Sequence, residues 1–146
     1  MKLVTQIVSD AELSVDGKII SKIGYGLVAY FCVEKGDEEE KLQFFAKKIA
    51  EMRIFPDDNG KTNLSIKDVN GEVLLISQFT LAGDYLSSRR PFFGNAENPE
   101  RAENLYLKLK SILEKDYGLN VKLGVFGADM TVKQTGRGPF TVYLER

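Results

Sequence analysis

The sequence predicts an α+β fold: a curved or barrel-like mixed β-sheet with two packed α-helices. Three observations carry that expectation. Strand-type segments rich in β-branched residues recur along all 146 residues. Apolar residues at helical spacing occur in two stretches only, one near 38–52 and one opening at Asn98-Pro99. Strands and helices do not alternate strictly, which argues against a doubly wound parallel sheet. The length suits one domain, 1–146, with a single core. A composition of 43% apolar and 28% charged residues is globular rather than disordered.

Taken in order, Lys2 to Val8 reads as a strand through Val4, Thr5, Ile7 and Val8. Leu13 to Val15 and Lys18 to Ile23 flank Asp16-Gly17, a two-residue hairpin signal. Gly24-Tyr25-Gly26 is a turn. Leu27 to Val33 lacks polar residues, so it is expected as a strand buried on both faces. Asp37, three residues before Glu40, is the expected cap of the first helix. Leu42, Phe45, Ala46, Ile49 and Met52 form its apolar face. Asp57 to Gly60 is a turn. Val73 to Leu81 is a long strand pattern, and its alternation places Ser77, Phe79 and Leu81 on one side, Gln78 and Thr80 on the other. Gly83 to Pro99 is a long polar loop, a length usually functional or disordered. Pro99 suits the first turn of the second helix. Its stripe runs from Ala102 through Leu105, Tyr106, Leu109, Ile112 and Leu113, and Gly118 ends it. Val121 to Val125, Met130 to Lys133 and Phe140 to Leu144 are three closing strands.

Composition excludes whole classes of chemistry. There is no His, which removes every His-based general base and the commonest metal ligand. A single Cys rules out an internal disulfide and a multi-Cys zinc site. No metal or cofactor is expected. Cys32 sits in the apolar run LVAYFCV and reads as core. Twenty basic against 21 acidic residues give a net charge of -1, so no global field exists to grip long nucleic acid and no DNA partner is expected. The N-terminus has no signal-peptide pattern, and no run approaches the roughly 20 apolar residues of a membrane span. A cytoplasmic protein without membrane contact is the expectation.

Four segments are candidates for function, each with a plainer alternative. Ser77-Gln78-Phe79-Thr80-Leu81 sets polar side chains after four apolar residues, either as a pocket wall or as a strand running into solvent. Phe126-Gly127-Ala128-Asp129-Met130 allows close backbone approach to a flat ligand, and equally suits a tight turn. Gly138-Pro139 fits an ordinary turn at the start of a strand, trans by frequency alone. Arg89-Arg90 in the long loop either binds phosphate or is solvated.

As an ordered set these pieces are specific. SQFTL at 77–81, RRP at 89–91, FGADM at 126–130 and GPFT at 138–141 resemble the D-aminoacyl-tRNA deacylases in order and spacing. VSDAELSVDGK near the start, Met52 to Phe55, Asn63 to Ser65 and Val33 to Asp37 extend the resemblance over essentially the whole chain. It implies a homodimeric ester hydrolase that releases D-amino acids from tRNA, with glycine mischarged to the alanine tRNA as a further candidate substrate. Ser77, Gln78, Phe79 and Thr80 are then the catalytic pocket. Phe126, Gly127, Ala128 and Met130 receive the terminal adenine, as unstacked bases are commonly held. Gly138 and Pro139, joined by a cis bond, enter from the partner subunit and exclude L-amino acids by backbone bulk. Asp129 stays outside the adenine set.

The resemblance also fits the missing His. An aminoacyl ester is already activated, and the terminal ribose carries a 2′-OH beside it. Positioning and backbone donors near Phe79 and Thr80 then suffice. A Thr80 nucleophile is the competing route, weak without a base. The chain departs from many relatives at three places. Ile7 follows Gln6 where an Arg is common, Gly136-Arg137 precedes Gly-Pro, and Ser87-Ser88 precedes RRP. Two other classes compete: a non-catalytic nucleic-acid module with a basic stripe, and a small-molecule hydrolase with paired carboxylates.

Overall fold

The computed structural model describes residues 1–146. In chain order its elements are β1 (Lys2–Val15), β2 (Lys18–Ile23), β3 (Gly26–Cys32), α1 (Lys41–Glu51), β4 (Phe55–Pro56), β5 (Thr62–Leu64), β6 (Glu72–Ser77), α2 (Pro99–Lys115), β7 (Asn120–Leu123) and β8 (Thr131–Glu145). Asp16 and Gly17 both take positive φ, 49° and 75°, as the tight β1–β2 hairpin requires. The returning chain lies along β1 twice. β2 pairs with its second half, and β3 pairs with its first. β3, β6 and β7 then run parallel. β8 covers the opposite edge of β1. Ser21 Oγ donates to the Leu123 carbonyl at 2.6 Å, tying β2 to β7, so the mixed sheet curls nearly into a barrel.

Strand alternation divides the apolar residues between two cores. Val28, Leu74 and Ile76 face inward with Val8, Ala11 and Leu13. Leu27, Ala29, Phe31, Val73 and Leu75 face outward and are covered by the helices. α1 contributes Leu42, Phe45, Ala46 and Ile49 to that layer, and α2 contributes Leu105, Tyr106, Leu109 and Leu113. The helical periods read from the sequence are therefore the buried faces. Gly118, at φ 69°, ends α2 as expected, with its N–H donating back to Glu114.

Four expectations about elements are corrected. Lys2–Val8 and Leu13–Val15 are one bent strand, because β8 pairs alongside both and bridges the polar Ser9-Asp10 between them. The two segments 130–133 and 140–144 are likewise one strand, β8. The Val73–Leu81 strand stops at Ser77, where its partner β3 ends. Gln78 leaves the extended conformation at ψ 77°, and Phe79–Ala82 form a short 3-10 helix. The predicted alternation of faces from 77 to 81 therefore does not occur. Asp37 does not cap α1, whose start has no side-chain cap. It is buried instead, accepting from the Glu34 N–H and from Lys41 Nζ, each at 2.8 Å.

Candidate active site

The parallel strands β3 and β6 end side by side beneath the first turns of α2. A cavity of about 510 Å³ opens there. Thirteen of its nineteen lining residues are hydrophobic, so its occupant must bring a large apolar face. One wall is the exit of β6, with Ser77, Gln78 and Phe79. The facing wall is the turn before β8, with Phe126, Gly127, Ala128 and Met130. Both predicted groups, 52 residues apart at Gln78 and Met130, thus share one space.

Local chemistry explains each wall. As the first residues of a 3-10 helix, Phe79 and Thr80 carry N–H groups with no acceptor inside the helix. Gln78 Nε2 donates to Thr80 Oγ1 at 2.6 Å. On the other wall Gly127 takes φ 74°, and the Ala128 N–H closes the turn on the Val125 carbonyl. Gly124 is small for a packing reason: a Cβ there would lie 2.8 Å from the Met130 sulfur. The segment is a tight turn, the plainer reading, and that turn lines the cavity.

The sequence reading missed part of the lining. Tyr30, Cys32 and Tyr106 also face the cavity, as do Glu97 and Asp129. Asp129, outside the adenine set that the resemblance implies, lines the same space. Tyr106 lay in a helical stripe that read as core. It is core, but its ring also backs Phe126 at 6.1 Å while its hydroxyl donates to the Leu75 carbonyl at 2.7 Å. Burial raises its pKa, as it does for Tyr30. Burial also pushes the Cys32 thiol up to about 11, so this pocket cysteine stays neutral. Glu97 is held ionised by the Asn98 N–H and by Arg101, and both its oxygens are engaged. Of the two carboxylates in the lining, Glu97 is thus fully engaged, whereas Asp129 has no hydrogen-bond or ion-pair partner.

Thr80, Arg89, Arg90, Gly138 and Pro139 do not line this cavity. Thr80 faces Gln78 just outside it, and both arginines are exposed on the loop. Gly138-Pro139 is cis, as the resemblance implied, and protrudes from the sheet. Gln6 is opposite Thr141 and Val8 is opposite Gly136, so Arg137 to Phe140 bulge out against the single residue Ile7. Proline fits there because it has no N–H to give the ladder. Ile7 itself is buried in the helix-covered core. The bulge is flanked instead by Gln6, whose Nε2 donates to Thr141 Oγ1 at 3.1 Å and whose Oε1 accepts from Gln134. No group of His, Cys, Asp and Glu is placed to hold a metal. No helix is long and apolar enough to cross a membrane.

Fold and cavity together define an α+β protein with a largely apolar, aromatic-walled pocket where β3 and β6 end. Residues 4–145 match the family model described as D-Tyr-tRNA(Tyr) deacylase, and the chain belongs to that family of ester hydrolases. It is 46% identical over 145 residues to a D-aminoacyl-tRNA deacylase of Magnetococcus marinus, covering 99% of this chain and 96% of that one. It is 47% identical to that of Halalkalibacterium halodurans, covering 99% of each. A solved structure described as c-Myc DNA Unwinding Element Binding Protein superposes with a TM-score of 0.93 at 37% identity, over 100% of this chain and 99% of that one. Another, described as a probable eukaryotic D-amino acid tRNA deacylase, has the same fold, with a TM-score of 0.84 at 16% identity, over 98% and 97%.

Proposed function

We propose that this protein hydrolyses the ester linking a D-amino acid to the 3′ end of tRNA, as a single-domain cytoplasmic homodimer. The observation that carries the reading is the distribution of its motifs. SQF and FGA-M face each other across one cavity, whereas Gly138-Pro139 lies apart on an exposed bulge. In a two-fold dimer that bulge reaches the partner's cavity, and each site is completed by two chains. Phe126 and Met130 hold the terminal adenine, and the aminoacyl group lies along Ser77 to Thr80. Water attacks the ester carbonyl and the bond to the ribose oxygen breaks. That oxygen takes up a proton, and free amino acid and tRNA leave. The N–H groups of Phe79 and Thr80 receive the developing oxyanion. The ribose 2′-OH, beside the ester, assists the attacking water in place of a side-chain base.

Chirality is enforced by main chain. The carbonyls of Gly138 and Pro139 fill the space an L side chain needs, and glycine, lacking a side chain, is admitted. Glycyl-tRNA is thus a second substrate.

The test compares D-Tyr-tRNA, L-Tyr-tRNA and a D-Tyr-tRNA ending in 2′-deoxyadenosine. Rapid loss of the first ester alone is expected. Equal turnover of the L-substrate would refute the chiral reading, and undiminished turnover of the deoxy substrate would refute 2′-OH assistance.

A further inference from the structure

The loop between the 3-10 helix and α2 carries aromatic and aliphatic side chains that its setting in water does not explain. Tyr85 is 57% exposed, Phe92 60% and Leu86 99%, and at the cavity rim Phe79 is 56% exposed. These residues are not disordered ornaments of a polar loop. Asp84 and Phe92 exchange main-chain hydrogen bonds at 2.8 and 3.0 Å, closing the loop into a small hairpin. The Asp84 carboxylate accepts from the N–H groups of Leu86 and Ser87 and from the Ser87 hydroxyl, which rigidifies the tip. Tyr85 Oη donates to the Thr80 carbonyl at 2.9 Å, fixing the ring to the candidate catalytic segment.

Two glycines are cut to fit the rings. A Cβ on Gly83 would lie 2.7 Å from Tyr85 and 2.8 Å from Phe93. A Cβ on Gly94 would lie 2.1 Å from the Phe92 ring. The rings form a row leading away from the cavity. Phe79 at the rim meets Phe93 edge-on at 5.2 Å, and Phe93 meets Tyr85 at 6.1 Å. The same loop carries Arg89 and Arg90, both exposed, and neither guanidinium takes part in an ion pair.

We infer that this loop is a stacking platform for the single-stranded RNA that leads into the cavity, the nucleotides just before the terminal adenosine. The inference rests on the tRNA reading above and adds a binding site to it. Exposed rings on a loop that also carries free cations are what an unpaired strand requires: π-faces for bases, and guanidiniums for the phosphates between them. A row starting at the cavity rim lets the strand continue outward once its last base is seated. Tyr85 and Phe92 offer the faces, Leu86 packs on a base or ribose edge, and Arg89 and Arg90 take the phosphates.

The test reads binding, so it is independent of hydrolysis. An uncharged RNA minihelix with a four-nucleotide single-stranded 3′ end is compared with its blunt counterpart by fluorescence anisotropy. The wild type binds the overhang form more tightly. The double variant Tyr85→Ala/Phe92→Ala loses about tenfold of that preference, on the scale of one or two stacked bases. Tyr85→Phe, which keeps the ring, retains it. Arg89→Ala/Arg90→Ala weakens binding and flattens its salt dependence. Absence of an overhang preference in the wild type, or an unchanged preference in the double variant, overturns the platform. So does sedimentation in which the double variant dissociates a dimer, because the rings are then covered by a second copy. Hydrolysis of D-Tyr-tRNA by the wild type with no overhang preference would leave the deacylase reading standing and this one refuted.

Discussion

Thr80 carries the sharpest chemical question at the level of single residues. Its hydroxyl accepts from Gln78 Nε2, and the chain has no His to take its proton. Loss of a true nucleophile costs a thousandfold or more in rate, on the order of what triad knockouts show. Thr80→Ala is expected to stay within about tenfold of wild type in single-turnover deacylation, because main-chain donors remain. Asp37 poses a different question, of stability. Burial works to raise its pKa, but Lys41, the terminal ammonium and the Glu34 N–H outweigh that and hold it below its ordinary 3.8. A carboxylate lowered in the folded state contributes stability above its unfolded value, and that contribution disappears as pH falls through the folded value. Asp37→Asn should therefore lose about 1–3 kcal/mol at pH 7. The gap from wild type in urea melts should narrow below pH 3.8. A gap independent of pH would show that the charge is not what matters.

Among elements, α2 is the one whose start doubles as a wall of the site. Asn98 accepts from the Arg101 N–H at 2.9 Å as its N-cap, and Pro99 opens the first turn. Glu97 and Pro99 line the cavity on either side of that cap. Asn98→Ala should cost about 1 kcal/mol and lower the melting temperature by about 3 °C. Because the cap's Nδ2 also donates to Glu97 Oε1 at 3.0 Å, and the variant loses that bond, KM should rise more than kcat falls. The bulge of β8 is the second element on which the proposed function depends. Gly138 sits at φ 110°, and a Cβ would meet the Phe140 nitrogen at 2.8 Å, so only glycine fits.

For the molecule as a whole, the separation of motifs gives a complementation test. Gly138→Ala spoils the bulge but leaves its own cavity intact. Ala128→Tyr fills the cavity but leaves the bulge intact. Each variant alone should be inactive. Unfolded together and refolded at equal concentration, they form hybrids in which one cavity and one bulge are both sound. Random pairing then returns about a quarter of wild-type activity. If each chain completes its own site, the mixture stays as inactive as its parts.

The local periodicities determined a good deal unaided. The apolar faces of α1 and α2, the Asp16-Gly17 hairpin, the two-sided burial of β3 and the Gly118 stop are local consequences of side-chain spacing and of positive φ. The absence of His likewise excluded a His-based general base before any geometry was known. The site motifs were legible only as an ordered set resembling a family, since SQFTL or Gly-Pro alone has an ordinary local explanation. Long-range pairing decided the rest. Nothing in 73–81 marks Ser77 as the strand's end; that follows from where β3 stops offering a partner. Nothing in 131–145 joins its halves into one strand, or pushes out residues 137–140 between them; both follow from the register against β1. Tyr106 and Cys32 read as core because spacing reports which face is covered, while a cavity within that cover arises only when β3, β6, α2 and the 124–130 turn come together.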